Sequence, residues 1–396
     1  MMKAKVITLG CKVNQYESEA MLSSLLQHGF AAAEGKETAD VVILNSCTVT
    51  AESDRKVRQI FRRAKKDNPD AVMVLTGCMA QAFPEDARRL EEADIILGTS
   101  NRKRLVPDLL AFLSARQRII DIAPHTNDEK FENLNVENFT GRTRAFVKIE
   151  DGCNRFCSYC IIPYARGRVR SKPLEDLKAE LEGLGANGYK EVVLTGIHLS
   201  SYGVDFPEDK KETLLSLIQA VNEVEGIQRI RLGSLEPGIV TEEFAKELSS
   251  MSKVCPHFHL SLQSGCDTTL ERMNRRYRSA EYKARCELLR NYFGNPALTT
   301  DVIVGFPMET EEDFQASYDF VKDIHFYETH IFKYSRRHGT KAAAMPGQLT
   351  EAEKAVRSDK MLELHQKRAA EYEISLLGKT LEVLLEEEVE IDGKAY

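Results

Sequence analysis

The residues best suited to chemistry form one short run, Cys153-Asn154-Arg155-Phe156-Cys157-Ser158-Tyr159-Cys160, which reads C-x3-C-x2-C. Thiolate is the ligand iron–sulfur clusters take, and three thiolates on one loop can hold three irons of a [4Fe–4S] cluster while the fourth iron stays without a protein ligand. Catalytic metal centres keep such an open position and structural ones close it. A structural zinc site would want a fourth ligand in a nearby C-x2-C or C/H pair, and none follows. A closed electron-carrier cluster would also bring a fourth cysteine.

A second constellation is spread more widely. Cys11, Cys47 and Cys78 lie 36 and 31 residues apart, and each ends a short apolar run: Val6–Gly10, Val41–Ser46 and Val72–Gly77. Continuous runs rich in β-branched residues suit buried parallel strands. Helical patterns separate them. Met21, Leu22, Leu25 and Leu26 form one stripe before Gly29, and Val57, Ile60, Phe61 and Ala64 form another before Pro69. In open parallel sheets the C-terminal strand ends converge on one crevice. Three thiolates at that edge can hold a second cluster. The alternative is three buried structural cysteines, since free cysteine is among the most buried residue types.

Nine cysteines, an odd number, in 396 residues without a secretory pattern argue against a disulfide framework and for metal or catalytic use in a reducing compartment. No apolar run approaches the roughly 18 residues a membrane helix needs. A cytoplasmic protein without a membrane partner is expected.

These residues need elements to position them. The first 122 residues read as a small parallel-sheet α/β domain, with a fourth apolar run at Ile95–Gly98. Residues 123–143 are polar and aperiodic and read as a linker. From 144 the alternation resumes, with expected strands at 145–150, 191–195, 229–232, 257–262, 300–304 and 330–333 and helices such as 214–224 and 311–324. Six strand–helix units in series suggest a partial (β/α)6 barrel, continuing into a helix that ends near 377. The cysteine loop then sits at the C-terminal end of the first strand, where such barrels place active sites. Residues 378–396, with the apolar run Leu381–Leu385, read as the truncated start of a C-terminal β-barrel.

C-x3-C-x2-C after the first strand of a partial barrel resembles the radical S-adenosylmethionine (SAM) superfamily. That resemblance implies an open iron that chelates the amino and carboxylate groups of SAM and a reduced cluster that cleaves it to a 5′-deoxyadenosyl radical. A three-cysteine domain ahead of such a barrel resembles the methylthiotransferase family. This implies two [4Fe–4S] clusters, the second, on Cys11, Cys47 and Cys78, carrying the sulfur that is methylated and inserted. Gly10-Cys11-Lys12-Val13-Asn14-Gln15-Tyr16-Glu17-Ser18, Cys47-Thr48-Val49-Thr50 and Cys157-Ser158-Tyr159-Cys160-Ile161-Ile162-Pro163-Tyr164-Ala165-Arg166-Gly167 resemble the branch acting on N6-threonylcarbamoyladenosine in tRNA. The branch acting on a ribosomal-protein aspartate is the nearest alternative. A non-catalytic iron–sulfur or zinc RNA-binding protein is the alternative of another class. The resemblance further implies methylthio transfer to C2 of the adenine next to the anticodon, a flavodoxin- or ferredoxin-like reductant, a monomer, and a single-stranded loop that can splay its base out.

Ends of the later strands supply the expected SAM pocket: Thr195 and Gly196, Ser234 and Glu236, Gln263 with Ser264, and Val304 ahead of Gly305-Phe306-Pro307, with Tyr159 near the adenine. His257 and His259 share one face of a strand and are expected to pack or hydrogen-bond there. Cys255, Cys266 and Cys286 are expected to be inert. The net charge of −7 is awkward for a tRNA partner, yet basic residues cluster at Arg55, Arg58, Arg62, Lys65 and Lys66, at Arg166, Arg168 and Arg170, at Arg275, Arg276 and Arg278, and at Arg336, Arg337 and His338.

Overall fold

The computed structural model describes residues 1–396 except 137, 140, 388, 392, 393 and 396. Its N-terminal unit is a six-stranded sheet: β1 (Lys3–Thr8), β2 (Ala31–Ala32), β3 (Val41–Ser46), β4 (Val72–Gly77), β5 (Ile95–Leu97) and β6 (Ile119–Asp121). All pairs are parallel, in the order β2-β1-β3-β4-β5-β6. Every residue of β3 and β4 is buried, because helices cover both faces of a parallel sheet. One face packs Val42, Leu44, Met73 and Leu75 against Val57 and Phe61; the other packs Val41, Ile43 and Val74 against Met21, Leu25 and Leu109. Helix α1 (Lys12–Gln27) follows β1 and α2 (Ala51–Asp67) follows β3, the latter opened by Thr50, whose side chain accepts from the Ser53 amide. A short α3 (Cys78–Ala82) follows β4. The two-residue β2 and the three-residue β6 are too short to leave a periodic signal.

The second unit carries β7 (Arg144–Lys148), an antiparallel pair β8 (Glu150–Asp151) and β9 (Arg170–Ser171), then β10 (Glu191–Thr195), β11 (Arg229–Leu232), β12 (His257–His259), β13 (Ala297–Val304) and β14 (Glu328–Lys333). Two three-stranded parallel sheets result, β11-β10-β7 and β12-β13-β14. Parallel bridges Ile230↔Val254 and Leu235↔Leu260 join them. Outward strand residues such as Val147, Leu194, Leu232, Val302 and Val304 meet helix residues such as Leu181, Leu217 and Phe314 in one core. Tyr16 and Ala20 of α1 belong to that same core, so the two units pack as one body. The β8–β9 pair brackets the cysteine loop, which Ser158 ties to the main chain of Arg272 and Met273.

Residues of the expected 123–143 linker form no regular element among those described; 137 and 140 lie outside them. Val136 and Phe139 are buried in the core, so this stretch is packed against the body. The expected terminal strand at 381–385 does not form: Leu381, Val383 and Leu385 are exposed, and a lone apolar run has no neighbouring backbone to ladder with. The only pairing beyond the helix Glu351–Ile374, among described residues, is the short hairpin Glu390–Ile391 with Lys394–Ala395, and 388, 392, 393 and 396 of that expected segment lie outside the description. No helix among the described residues is long and apolar enough to cross a membrane.

Candidate active site

A cleft of about 280 Å³ opens at the C-terminal ends of β7 and β10–β14. Cys153, Cys157 and Cys160 form one wall. Val49 and Thr50, two and three residues after Cys47, also line the cleft. The Cys47 loop is held there by the barrel side: the Ala51 amide donates to Ser335 Oγ at 2.9 Å, and Arg337 Nη2 donates to Thr48 Oγ1 at 2.8 Å and to Asp54 Oδ2 at 2.6 Å.

Both cysteine trios suit cluster ligation. All six thiols are free of disulfides. Burial pushes Cys153, Cys160 and Cys78 up to about 12, so their thiolate forms need a cation beside them to compensate the buried charge. One arginine supports each trio: Arg275 Nη1 lies 3.2 Å from Cys157 Sγ and Arg166 Nε 3.3 Å from Cys78 Sγ. Cys11, Cys47 and Cys78 lie close enough to influence one another electrostatically. Among the described residues the only ligand group whose atoms all lie within 4.8 Å is His259, Asp301 and His330. A single tetrahedral zinc, with Zn–S of about 2.3 Å, needs sulfurs about 3.8 Å apart.

Gly10 shows how tightly the second trio is built. Its φ is +112°, and a Cβ there would stand 2.9 Å from Cys47 Cβ and 3.2 Å from Cys47 Sγ. Asn14 completes the corner, donating to the carbonyls of Leu9 and Ser46 while its Oδ1 lies 3.7 Å from Cys11 Sγ.

Of the expected SAM residues, Tyr159, Ser234, Glu236 and Gln263 line the cleft. Glu236 is nearly buried. Burial would raise its carboxyl, but His198 Nε2 at 3.5 Å, Arg275 at 3.6 Å and a contact with Arg155 hold it below the usual carboxylate range. Gln263 sits at φ +70°, unusual outside glycine, in the irregular link between β12 and β13. Thr195 and Gly196 do not line the cleft. Thr195 is buried at the end of β10, and a Cβ on Gly196 would meet Glu150 Oε2 at 2.7 Å. Glu150 lies beneath, accepting the His198 amide at 2.7 Å, and burial drives its carboxyl well up. Val304 is a correction: it is 1% exposed in the outer core, and Ile303 and Asp301 face the cleft instead. Alternation along a strand sends neighbours to opposite faces, so naming the strand end without its register picked the wrong one.

Several expected surface cations are internal. Arg166, Arg170 and Arg337 are buried, and Arg275 is enclosed by Cys157, Tyr277 and Glu236. Arg166 joins Glu17, Asp151, Lys148 and Arg102 in a buried ion network between the two units. Arg55, Arg62, Arg168, Arg276, Arg278 and Arg336 remain exposed. Cys255, Cys266 and Cys286 are buried away from either trio. Sequence reasoning did not single out Arg155, His198 or Asp301 as cleft residues; the x positions of the cysteine motif and strand parity were the available signals.

Comparison with known proteins agrees with this geometry. Residues 3–98 match the uncharacterized protein family UPF0004 and residues 147–321 match the radical SAM superfamily. The chain is 41% identical over 380 residues to the threonylcarbamoyladenosine tRNA methylthiotransferase of Bacillus subtilis (strain 168), covering 96% of this chain and 84% of that one. With the enzyme of the same description from Aquifex aeolicus it shares 39% over 98% of this chain and 93% of that one. With the tRNA-2-methylthio-N(6)-dimethylallyladenosine synthase of Caldicellulosiruptor saccharolyticus it shares 37% over 96% of this chain and 81% of that one. In fold it is similar to the radical SAM methyltransferase TsrM from Kitasatospora setae, with a TM-score of 0.61 at 16% identity, over 87% of this chain and 74% of that one.

Proposed function

The chain belongs to the radical SAM methylthiotransferases of tRNA, and we propose that it inserts a methylthio group at C2 of N6-threonylcarbamoyladenosine next to the anticodon. SAM and an iron–sulfur cluster are the cofactors of this chemistry; two [4Fe–4S] clusters, one per trio, are part of the proposal. One observation carries the reading: Cys153, Cys157 and Cys160 share a single cleft with the loop that follows Cys47. Catalysis of this kind needs a radical generated beside the base and a sulfur donor on its other side.

Bound at Cys153, Cys157 and Cys160, a [4Fe–4S] cluster supplies electrons and an open iron for reductive cleavage of SAM, and one at Cys11, Cys47 and Cys78 supplies the sulfur. The chain's own residues do the rest. Arg155, Arg275 and His198 keep Glu236 ionised at the cleft wall, where it can accept hydrogen bonds from ribose hydroxyls or the SAM ammonium. Tyr159, half-enclosed beside Phe306, offers an aromatic face to the adenine. Ile197, Ile303 and Phe332 narrow the cleft with apolar surface, which restricts water around a reactive species. Residues 1–122 act as the sulfur-carrying unit, 123–143 tie it to the barrel, and 144–377 form the partial barrel and its following helix. The exposed arginines of α2 and of 276–278 contribute phosphate contacts. A flavodoxin- or ferredoxin-like protein delivers electrons to a monomeric enzyme.

Mass spectrometry of tRNA nucleosides from a deletion strain tests the reading. The expected result is loss of the methylthio derivative of threonylcarbamoyladenosine, restored by the gene. Unchanged tRNA with a lost methylthio mark on a ribosomal protein would reassign the substrate. Absence of SAM cleavage by the reduced, reconstituted protein would point to a non-catalytic iron–sulfur protein.

A further inference from the structure

Below the cleft, the interior of the partial barrel is lined by polar side chains that have no assigned role. Ile230 and Leu232, Phe258, Thr300 and Val302, and Thr329 are buried on the outer side of their strands. Strand alternation therefore sends Arg231, His257, His259, Asp301 and His330 inward. Asp301 pairs directly with His330 in the ladder. His259 Nε2 lies 3.2 Å from Asp301 Oδ2, and its Nδ1 lies 3.0 Å from Thr299 Oγ1. The imidazoles of His259 and His330 stack with centroids 5.7 Å apart and planes 25° from parallel. Asp301 also lines the cleft, so this floor is continuous with it.

Lys12, the residue after Cys11, lies on the N-terminal unit within electrostatic range of Arg231, Arg144 and Glu328. Arg231 shares its partner Glu191 with Arg229 and Arg144. His257 Nδ1 and His259 Nε2 are buried without an aligned hydrogen bond. Lys12 and His330 are exposed and Arg231, His257, His259 and Asp301 half-buried, so a ligand can reach them.

Under-used donors on one side and a His–Asp–His acceptor–donor set on the other suit a group carrying a carboxylate, a hydroxyl and an amide together. A hydrocarbon group would bury these polar atoms without partners, which is costly. Relatives acting on threonylcarbamoyl- and dimethylallyl-adenosine resemble this chain at 41% and 37% identity, so overall similarity alone separates them weakly. Resting on the function proposed above, we infer that the barrel floor is the subsite for the N6-threonylcarbamoyl group, with its carboxylate against Lys12 and Arg231 and its hydroxyl and urea groups against His259, Asp301 and His330.

The test uses the reconstituted holoenzyme and two tRNAs that differ only in whether the threonyl carboxylate is free or converted to its methylamide. Amidation is expected to lower kcat/KM by about 10- to 100-fold, the range a charge-assisted hydrogen bond carries. Lys12→Met and Arg231→Leu should each shrink that discrimination and raise KM for the free-carboxylate tRNA, with iron and sulfide content retained. Equal rates on both tRNAs, or a Lys12→Met enzyme that still discriminates fully, would overturn the subsite while leaving the proposed function standing. Turnover of dimethylallyladenosine tRNA in place of both would overturn the function itself. One equivalent of zinc or manganese beyond the cluster iron, lost in His330→Ala, would assign the trio to a metal ion and also overturn the subsite.

Discussion

Arg166 Nε lies 3.3 Å from Cys78 Sγ. Arg166 ends the helix Ile162–Arg166, which starts two residues after Cys160, the last cysteine of the first trio, whereas Cys78 opens α3 of the N-terminal unit. The remaining guanidinium hydrogens reach Asn14 Oδ1 at 2.6 Å, Glu17 at 2.8 and 2.9 Å and Asp151 at 3.0 Å, which uses the whole donor fork. One side chain thus joins the segment after Cys160 to Cys78 and, through Asn14, to Cys11.

Arg166→Met should cost about 3–5 kcal/mol, because it leaves Glu17 and Asp151 buried with fewer partners. Arg166→Lys should recover only part, since a point charge cannot reproduce the fork. Urea unfolding of the two variants checks this; a loss below about 1 kcal/mol for Met would mean the network tolerates the gap.

Wild-type protein reconstituted under anaerobic conditions should hold about eight irons, and the Cys153→Ala/Cys157→Ala/Cys160→Ala variant about four. Iron and acid-labile sulfide assays decide it. A fall from about four to none would leave Cys11, Cys47 and Cys78 without a cluster and the enzyme without its sulfur carrier.

Gly10→Ala should lower iron content toward that of a protein with one cluster, while SAM cleavage at the first trio persists. An L-residue is strained at φ +112°, and the new methyl would press on Cys47. Full iron content in this variant would show that the Cys47 corner adjusts freely.

Glu17 gives the fold a defined acid sensitivity. Burial would raise its carboxyl, but Arg102, Arg166 and Lys148 outweigh it and hold the group down to about 2, against 4.5 unperturbed. A depressed carboxyl contributes stability above the unperturbed value and loses it as pH falls toward the folded one. The stability gap between wild type and Glu17→Gln should be on the order of 3 kcal/mol near neutrality and narrow as pH drops below about 4.5. Urea midpoints recorded across that range would show it; a gap independent of pH would place the loss in packing.

Strand parity in β13 separates two neighbours. Val304→Ala, in the outer core, should cost about 1–3 kcal/mol with little change in KM for SAM. Ile303→Ala should raise KM for SAM with a smaller stability loss. Thermal melts and SAM-cleavage kinetics distinguish the outcomes, and a reversed pattern would contradict the assigned faces.

Much of the architecture was legible because its signals are local. Glu311–Ile324 was readable from its apolar stripe, and Thr310 caps it with Asp313 as the sequence allows. β3 and β4 were readable because a parallel strand covered on both sides needs an unbroken apolar run. The strand expected at 381–385 shows the limit: β-propensity describes a residue's fit to a sheet, but the ladder needs a partner.

The sequence alone determined which atoms could do the chemistry. Two sets of three thiols, one on a single loop and one at three strand ends, carry their meaning in spacing and in the pattern that precedes them. The tertiary structure decided what surrounds them. Arg166, Arg170, Arg275 and Arg337 read as a basic surface, yet they are buried partners of carboxylates and cysteine sulfurs from distant segments. Which face of β13 meets the cleft, and which side chains line the barrel floor, likewise depended on register and closure. Thiols act through identity and local spacing, whereas a charge acts through whatever lies within a few ångströms of it, and such neighbours can come from far along the chain, as Glu17 does for Arg166 and Thr48 for Arg337.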